Sequence, residues 1–217
     1  MRFPSSIKSK LIFLLIITSM LPLLIAMAYT LFNTVNSAFE FAEHELKVTN
    51  ELIEKEVNAM MGSNFTALRL MAVNPAVQEY LTATPENRNP NMKNLVQNAN
   101  ALFQDSSNIV ITGNDGQQLV RSDKAKLVNL EARDYFKEAM KGNEYISEVV
   151  VSKTTGLAIV VIEVPVKDSD GKVIGMIQRN YNISALAELL KKEADADTEL
   201  AIFESNGKLI SHSAMEI

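Results

Sequence analysis

The chain has 217 residues and is acidic, with 26 Asp and Glu against 21 Lys and Arg; it contains two histidines and no cysteine. The missing cysteine removes any disulfide framework, thiolate nucleophile or thiolate metal ligand. The acidic balance argues against nucleic acid, or an anionic membrane surface, as the main partner.

Residues Leu11 to Phe32 carry no charged side chain and follow directly on Arg2, Lys8 and Lys10. A helix over this run is about 33 Å long, enough to cross a bilayer core of about 30 Å. Basic residues before the run and Glu40, Glu43 and Glu45 after it place the N-terminus in the cytoplasm and the rest outside the cytoplasmic (inner) membrane. A cleaved signal peptide is the rival reading, because Ala26-Met27-Ala28 has the small-x-small form of a cleavage site. The apolar run is longer than the usual signal core of about 7–15 residues and leads straight into a helical pattern, which favours an uncut anchor. An exported domain without disulfides fits a bacterial envelope. The sequons at Asn64 and Asn182 then read as chance matches.

Beyond the span, a stripe recurs at Ala42, Leu46, Thr49, Ile53, Val57 and Met60, spaced by three and four, and continues through Phe65, Leu68, Met71 and Ala72. This spacing predicts an amphipathic or coiled-coil helix from about 35 to 73, ended at Asn74-Pro75. It reads as a stalk whose stripe packs against another helix or a second protomer; for the upper half, packing on its own domain is the alternative. A polar stretch from Thr82 to Asn94 leads to a short helix ending near Phe103. The period then changes. Ile109–Thr112 and Gln118–Arg121 flank an Asp115-Gly116 turn and predict a hairpin. A helix is expected over Leu130–Lys141, followed by strands over Tyr145–Lys153, Leu157–Val166 and Lys172–Ile183 in an antiparallel meander. Ser184 is expected to cap a helix running to about Ala194.

The segment from Ile111 to Ser122 is echoed from Ile202 to Ser213, read with one residue dropped. Each copy is a strand, an Asx-Gly turn and a second strand, so a second sheet module is expected to begin near Thr198. The chain stops at Ile217 before such a module closes its core, so the sequence reads as an N-terminal fragment.

Catalysis has no visible address. His44 and His212 have no partner at metal-ligand spacing, and no phosphate-cradling loop, dinucleotide fingerprint or serine elbow occurs. The expectation is a binding protein with no catalytic residues, metal or cofactor. The densest site candidate is Leu130 to Ala139, where Arg133 stands beside Tyr135 and Phe136. An arginine fork grips a carboxylate with two bonds while aromatics wall off the rest of a small ligand. The competing reading pairs Arg133 with Asp134 or Glu131 and puts the aromatics in the core.

Arg133-x-Tyr135-Phe136 with Ala139 and Gly142, Tyr145–Val149, Val161–Val166 with Pro165, Asp170–Ile177 and Ile183-x-x-Leu186 together resemble the Cache family of extracytoplasmic sensor domains. The closest type is the double-Cache sensor of methyl-accepting chemotaxis receptors, over residues 35–217. The resemblance implies an α+β fold: a transmembrane helix and long stalk leading into a PAS-like Cache module with a central antiparallel sheet, and a second module only begun. It divides the chain into a cytoplasmic tip (1–10), transmembrane helix (11–32), stalk (33–75), membrane-distal ligand-binding module (76–197) and the start of a membrane-proximal module (198–217). It further implies a homodimer through the stalk, signalling to a cytoplasmic output domain, and a pocket above the sheet.

Arg133 and Tyr135 match family positions that contact a ligand's carboxylate. Where the amino-acid-binding subset has Tyr and Asp, this chain has Val151 and Lys153; where it has the Asp that receives the α-amino group, this chain has Asn180. The implied ligand site is therefore Arg133, Tyr135, Phe136, Val151, Lys153 and Asn180, and its ligand a small organic acid or other carboxylate. On Lys172–Ile183, Met176, Gln178, Asn180 and Asn182 share one face, which suits either a ligand-facing surface or solvent. The sensor region of a histidine kinase or diguanylate cyclase is the alternative within this reading. A membrane-anchored enzyme and a pilin-like subunit are the alternatives outside it.

Overall fold

A computed structural model describes residues 7–105, 107–194, 198–204 and 206–214. Most of the expected cytoplasmic tip, the residues just before position 198 and the last three residues lie outside this set. The chain divides into two compact units, Met1–Glu54 and Lys55–Ile217.

The described residues of the first unit, 7–54, belong to α1 (Ile7–Ala72), which contains Pro22. This helix is long and apolar enough to cross a membrane. Its apolar side chains from Leu11 to Phe32 are exposed. Hydroxyls within that stretch bond back to the helix itself: Thr18 to the Leu14 carbonyl at 2.9 Å and Thr30 to that of Ala26 at 3.0 Å. Such internal bonds satisfy polar groups where no water competes.

In the second unit the upper part of α1 ends as the sequence predicts. Pro75 opens α2 (Pro75–Thr82), and the Asn74 side chain accepts from the Ala76 N–H at 2.9 Å. A 3-10 turn (Pro85–Asn87) and α3 (Met92–Ala101) follow. The strands are β1 (Asn108–Gly113), β2 (Gln118–Arg121), β3 (Tyr145–Ile146), β4 (Val150–Val151), β5 (Ala158–Lys167) and β6 (Val173–Asn182). They form one antiparallel sheet in the order β2-β1-β6-β5-β3, with β4 also on β5. Helix α4 (Asp134–Met140) precedes β3, and α5 (Ser184–Glu193) follows β6.

The structure corrects three local expectations. The helix expected from Leu130 begins only at Asp134, with Arg133 extended at its N-cap. The strand expected over Tyr145–Lys153 is broken, because the Ser147 hydroxyl accepts the Val161 N–H that would otherwise continue the ladder. Ile183, not Ser184, is the cap residue of α5; the capping oxygen comes from Asn182, which accepts the Ser184 N–H at 3.0 Å.

Each face of the sheet is covered. Ile109, Ile111, Ile162, Val164 and Ile177 pack against Leu68, Met71, Val77 and Val96 of α1–α3. Val57, Met60 and Phe65 join this core, so the upper half of the α1 stripe packs on its own domain. On the other face Ile159, Val161 and Met176 pack against Leu130, Tyr135, Phe136 and Ala139. A charged side chain lies against the first core. Arg179, 0% exposed on central strand β6, donates to Asn64 of α1 and to Asp105, and stacks over the Phe103 ring at 3.5 Å.

The hairpin β7 (Ala201–Phe203) and β8 (Leu209–His212) repeats β1–β2 bond for bond. Gly113 N–H reaches the Gln117 carbonyl at 2.9 Å, as Glu204 N–H reaches that of Lys208 at 2.8 Å. Ile109 N–H donates to Ser122 Oγ, as Leu200 N–H donates to Ser213 Oγ. Gly116 and Gly207 take φ of +79° and +85° at the same point of the turn. Both pairs also slip register at the same step, between Ile111 and Thr112 and between Ile202 and Phe203. The two copies therefore align without a gap; the single-residue deletion expected from sequence is not there.

Replacing Arg179 by Met should cost about 3–5 kcal/mol of folding free energy, since it strands Asp105 and the Asn64 carbonyl beside an apolar core. Urea unfolding of the full chain measures this; a loss below about 1 kcal/mol would remove Arg179 as a determinant of the fold.

Candidate functional site

The α4 side of the sheet carries a row of polar side chains, of which Gln118, Arg121, Gln178 and Asn180 are buried and Asn108 is half-buried. Asn108 on β1 and Asn180 on β6 are direct partners across the ladder, as are Val110 and Gln178. Gln178 is 1% and Asn180 6% exposed, so these two do not face solvent, while Asn182 at the strand end is half-buried. β2 adds two more groups to the same face. Its register slip leaves Leu119 as an extra residue, so Gln118 stands opposite Thr112 while Arg121 stands opposite Val110. Three residues apart on a regular strand, the two would point to opposite faces; the bulge brings them together.

These groups are wired together. Gln178 Nε2 donates to Asn180 Oδ1 at 2.7 Å, and Asn180 Nδ2 donates to Asn108 Oδ1 at 2.8 Å. Arg121 donates to the same Asn108 oxygen at 3.4 Å and to Gln118 Oε1 at 3.2 Å. Its other donors grip Asp123 with two bonds of 2.7 Å. Burial pushes the Asp123 carboxyl up, but the bonds and charge of Arg121 outweigh this and hold it below the usual carboxylate range.

A cavity of about 20 Å³ lies among Gln118, Arg121, Tyr135, Lys153, Gln178 and Asn180, with the Ser152–Thr154 turn on its outer side. That is room for one water. Burial pushes the Tyr135 hydroxyl up to about 12. On the same face Glu163 stands opposite Gln178 on one side and Tyr145 on the other. It is 0% exposed and neither carboxylate oxygen has a partner of good geometry among the described residues; burial, against the pull of the Ala139 N–H, pushes it up to about 9.

Of the six residues expected at the site, Tyr135, Lys153 and Asn180 line this cavity. Lys153 is exposed and its Nζ donates to the Asn129 carbonyl at 3.3 Å. Phe136 is packed in the supporting core. Val151 is 64% exposed and contributes its carbonyl, which accepts from Arg133 at 3.2 Å. Arg133 pairs with neither Asp134 nor Glu131 among the described bonds; its Nε is buried without a partner. Sequence reasoning missed Gln118 and Arg121, whose shared face depends on the bulge, and Glu163, hidden in the apolar run of β5. Gln178 was visible in the polar row of β6.

The two cations on this cavity differ in kind. Arg121→Met should destabilise the fold by about 3 kcal/mol or more by taking from the Asp123 carboxylate the cation that grips it with two bonds, whereas Lys153→Ala should stay within about 0.5 kcal/mol. Paired urea titrations test this, and equal losses would overturn the distinction.

Comparison with known proteins bears on this arrangement. The family described as Cache domain matches residues 16–217. No curated protein matches the chain by sequence. Among solved structures, the ligand-binding domain of the Campylobacter jejuni chemoreceptor Tlp3 aligns with a TM-score of 0.61 at 18% identity, covering 78% of this chain and 68% of that one. The sensor domain of the Vibrio cholerae histidine kinase DctB gives 0.56 at 14%, covering 76% and 67%. The Escherichia coli DcuS sensor domain gives 0.51 at 14%, covering 60% and 94%. At these identities the likeness is one of fold, whereas the family match spans nearly the whole sequence: the chain belongs to the Cache domain family.

Proposed function

We propose that this chain is the extracytoplasmic small-ligand sensor of a transmembrane chemoreceptor, anchored in the cytoplasmic membrane by residues 11–32. In this reading 33–75 form the stalk, 76–197 the ligand-binding module and 198–217 the opening of a membrane-proximal module. Exposed Phe39, Phe41, Leu46, Val48 and Leu52 on the lower stalk support a homodimer formed through that helix. The observation that carries the sensor reading is the polar cavity between α4 and β6, walled by Tyr135, Lys153 and Asn180, with a partly unpaired Arg133 at the N-cap of α4.

Tlp3 has been crystallised with L-valine and with isoleucine. Here Lys153 and Asn180 stand where the amino-acid-binding subset of the resembling family has carboxylates, so an ammonium group meets a cation and an amide. A small carboxylate without an amine suits Lys153 and the spare donor of Arg133 better. Admitting it requires the Ser152–Leu157 turn to move outward, since the cavity measures only about 20 Å³. The likeness to the DctB sensor domain favours one second reading, a histidine kinase in place of a chemoreceptor as the output.

A thermal-shift screen of the full chain in detergent, with small mono- and dicarboxylates and amino acids, tests the ligand class. A carboxylate at a hundred times its dissociation constant should stabilise the fold by about 2.7 kcal/mol. Arg133→Ala should abolish the shift and Lys153→Ala weaken it. Shifts from amino acids alone would overturn the proposed class.

A further inference from the structure

Two buried acceptors lie side by side, and neither takes a hydrogen bond of good geometry among the described residues; burial pushes the Glu163 carboxyl up and outweighs the downward pull of the Ala139 N–H of α4. Glu163 and Gln178 are direct neighbours on β5 and β6, side chains on one face, and at such positions Cβ atoms stand about 4.5–5.5 Å apart. Both Glu163 oxygens and Gln178 Oε1 lack a partner, while Gln178 Nε2 is committed to Asn180. Buried acceptors left unpaired are costly, and two facing one another repel. One proton on Glu163 removes the conflict, because a neutral carboxyl has an O–H to give.

We propose that Glu163 is a proton-binding site beside Gln178, which lines the ligand cavity, and that it donates its O–H to Gln178 Oε1 and thereby fixes the direction of the amide chain Gln178–Asn180–Asn108. The inference rests on the cavity being the ligand site. With the proton bound, every bond in the chain runs toward Arg121: Glu163 to Gln178, Gln178 to Asn180, and Asn180 to the Asn108 oxygen that Arg121 also holds. When the proton leaves, the carboxylate needs a donor and Gln178 turns its amide nitrogen toward it. Gln178 then offers Asn180 an oxygen in place of a nitrogen, Asn180 turns in response, and two oxygens meet at Asn108. The cavity wall changes polarity without any change of shape. A ligand selected by the donors and acceptors of Gln178 and Asn180 is therefore bound in one protonation state of Glu163 and not in the other.

The neighbours leave this proton free to titrate alone. From α4, Tyr135 faces Glu163 and is itself pushed up to about 12, above the range in question. Glu138, also on α4, is held low by bonds from Lys141 and Asn143, and its negative charge favours the neutral Glu163. β3 contributes Tyr145 and β6 the non-titrating Gln178. An ordinary unfolded glutamate ionises near about 4.3. Folded, burial raises Glu163 to about 9. Between those values the folded chain holds a proton that the unfolded chain has lost, so stability falls as pH rises through this window and levels off above it.

The test compares the full chain with Glu163→Gln, which keeps a donor to Gln178 and cannot ionise. The wild-type melting midpoint should fall from pH 6 to pH 9.5 more steeply than that of E163Q. Hydrogen exchange over residues 150–157 and 118–130 should be alike in the two proteins at pH 6 and faster in wild type at pH 9.5. Equal pH slopes would show that Glu163 does not hold the proton. A flat E163Q with identical exchange at both pH values would show a proton isolated from the cavity; either outcome overturns the inference. Should E163Q not fold, Glu163→Met, also unable to ionise, must show the same flattened slope. None of these readouts uses a ligand, so they stand or fall apart from the carboxylate screen.

Discussion

A guanidinium sealed from water in the middle of the central strand constrains everything packed around it. Arg179 reaches no solvent, and its donors must be met by whatever surrounds β6. Its two terminal nitrogens are met by Asn64 on α1 and by Asp105 between α3 and β1, with the Phe103 ring stacked against its face, while its Nε has no partner among the described residues. Burial pulls its ionisation down and the bond to Asp105 opposes that pull. A planar fork with fixed donor directions accepts few arrangements of three separate segments. An apolar residue would fill the space, but it would leave the angle between α1 and the sheet far less defined.

Strand alternation makes the same residue the counterpart of the cavity. Gln178 and Asn180 face α4, and Arg179 between them faces α1. A strand cannot rotate or slide its two pocket amides without carrying the residue between them, and that residue is bonded to α1. Position 179 therefore has two duties in one place, closing the helix side of the core and tying it to the polar side. A hydrophobic residue there would serve packing alone.

Much of the fold was legible because it rests on local rules. The Asn74-Pro75 boundary, the Asp115-Gly116 turn and the period-two runs of β5 and β6 each announce themselves in a few consecutive residues. What was misread depended on residues distant in sequence. The break after Ile146 arises because the Ser147 hydroxyl captures the Val161 N–H across the ladder. Arg133 reads as a helical residue until the extended backbone at the N-cap of α4 is seen. The site divides along the same line. Tyr135 and Asn180 could be found from spacing and resemblance, whereas Arg121 reaches the cavity only through the bulge at Leu119, and Glu163 looks from sequence like an oddity in the apolar strand Ala158–Lys167.

The repeated hairpin gives an independent measure of what this module needs. β1–β2 and β7–β8 share the turn bonds, the left-handed glycine, the serine that closes the strand end and the register slip. Their side chains at the pocket positions do not agree: Asn108, Gln118 and Arg121 correspond to Glu199, Leu209 and His212. The backbone device that turns these positions to one face is thus kept while the chemistry it presents is exchanged. In the first hairpin it displays an arginine paired with Asp123; in the second, His212 lies 3.6 Å from Glu199. A bulge that survives such a change of side chains acts to aim them, and what it aims is set separately in each hairpin.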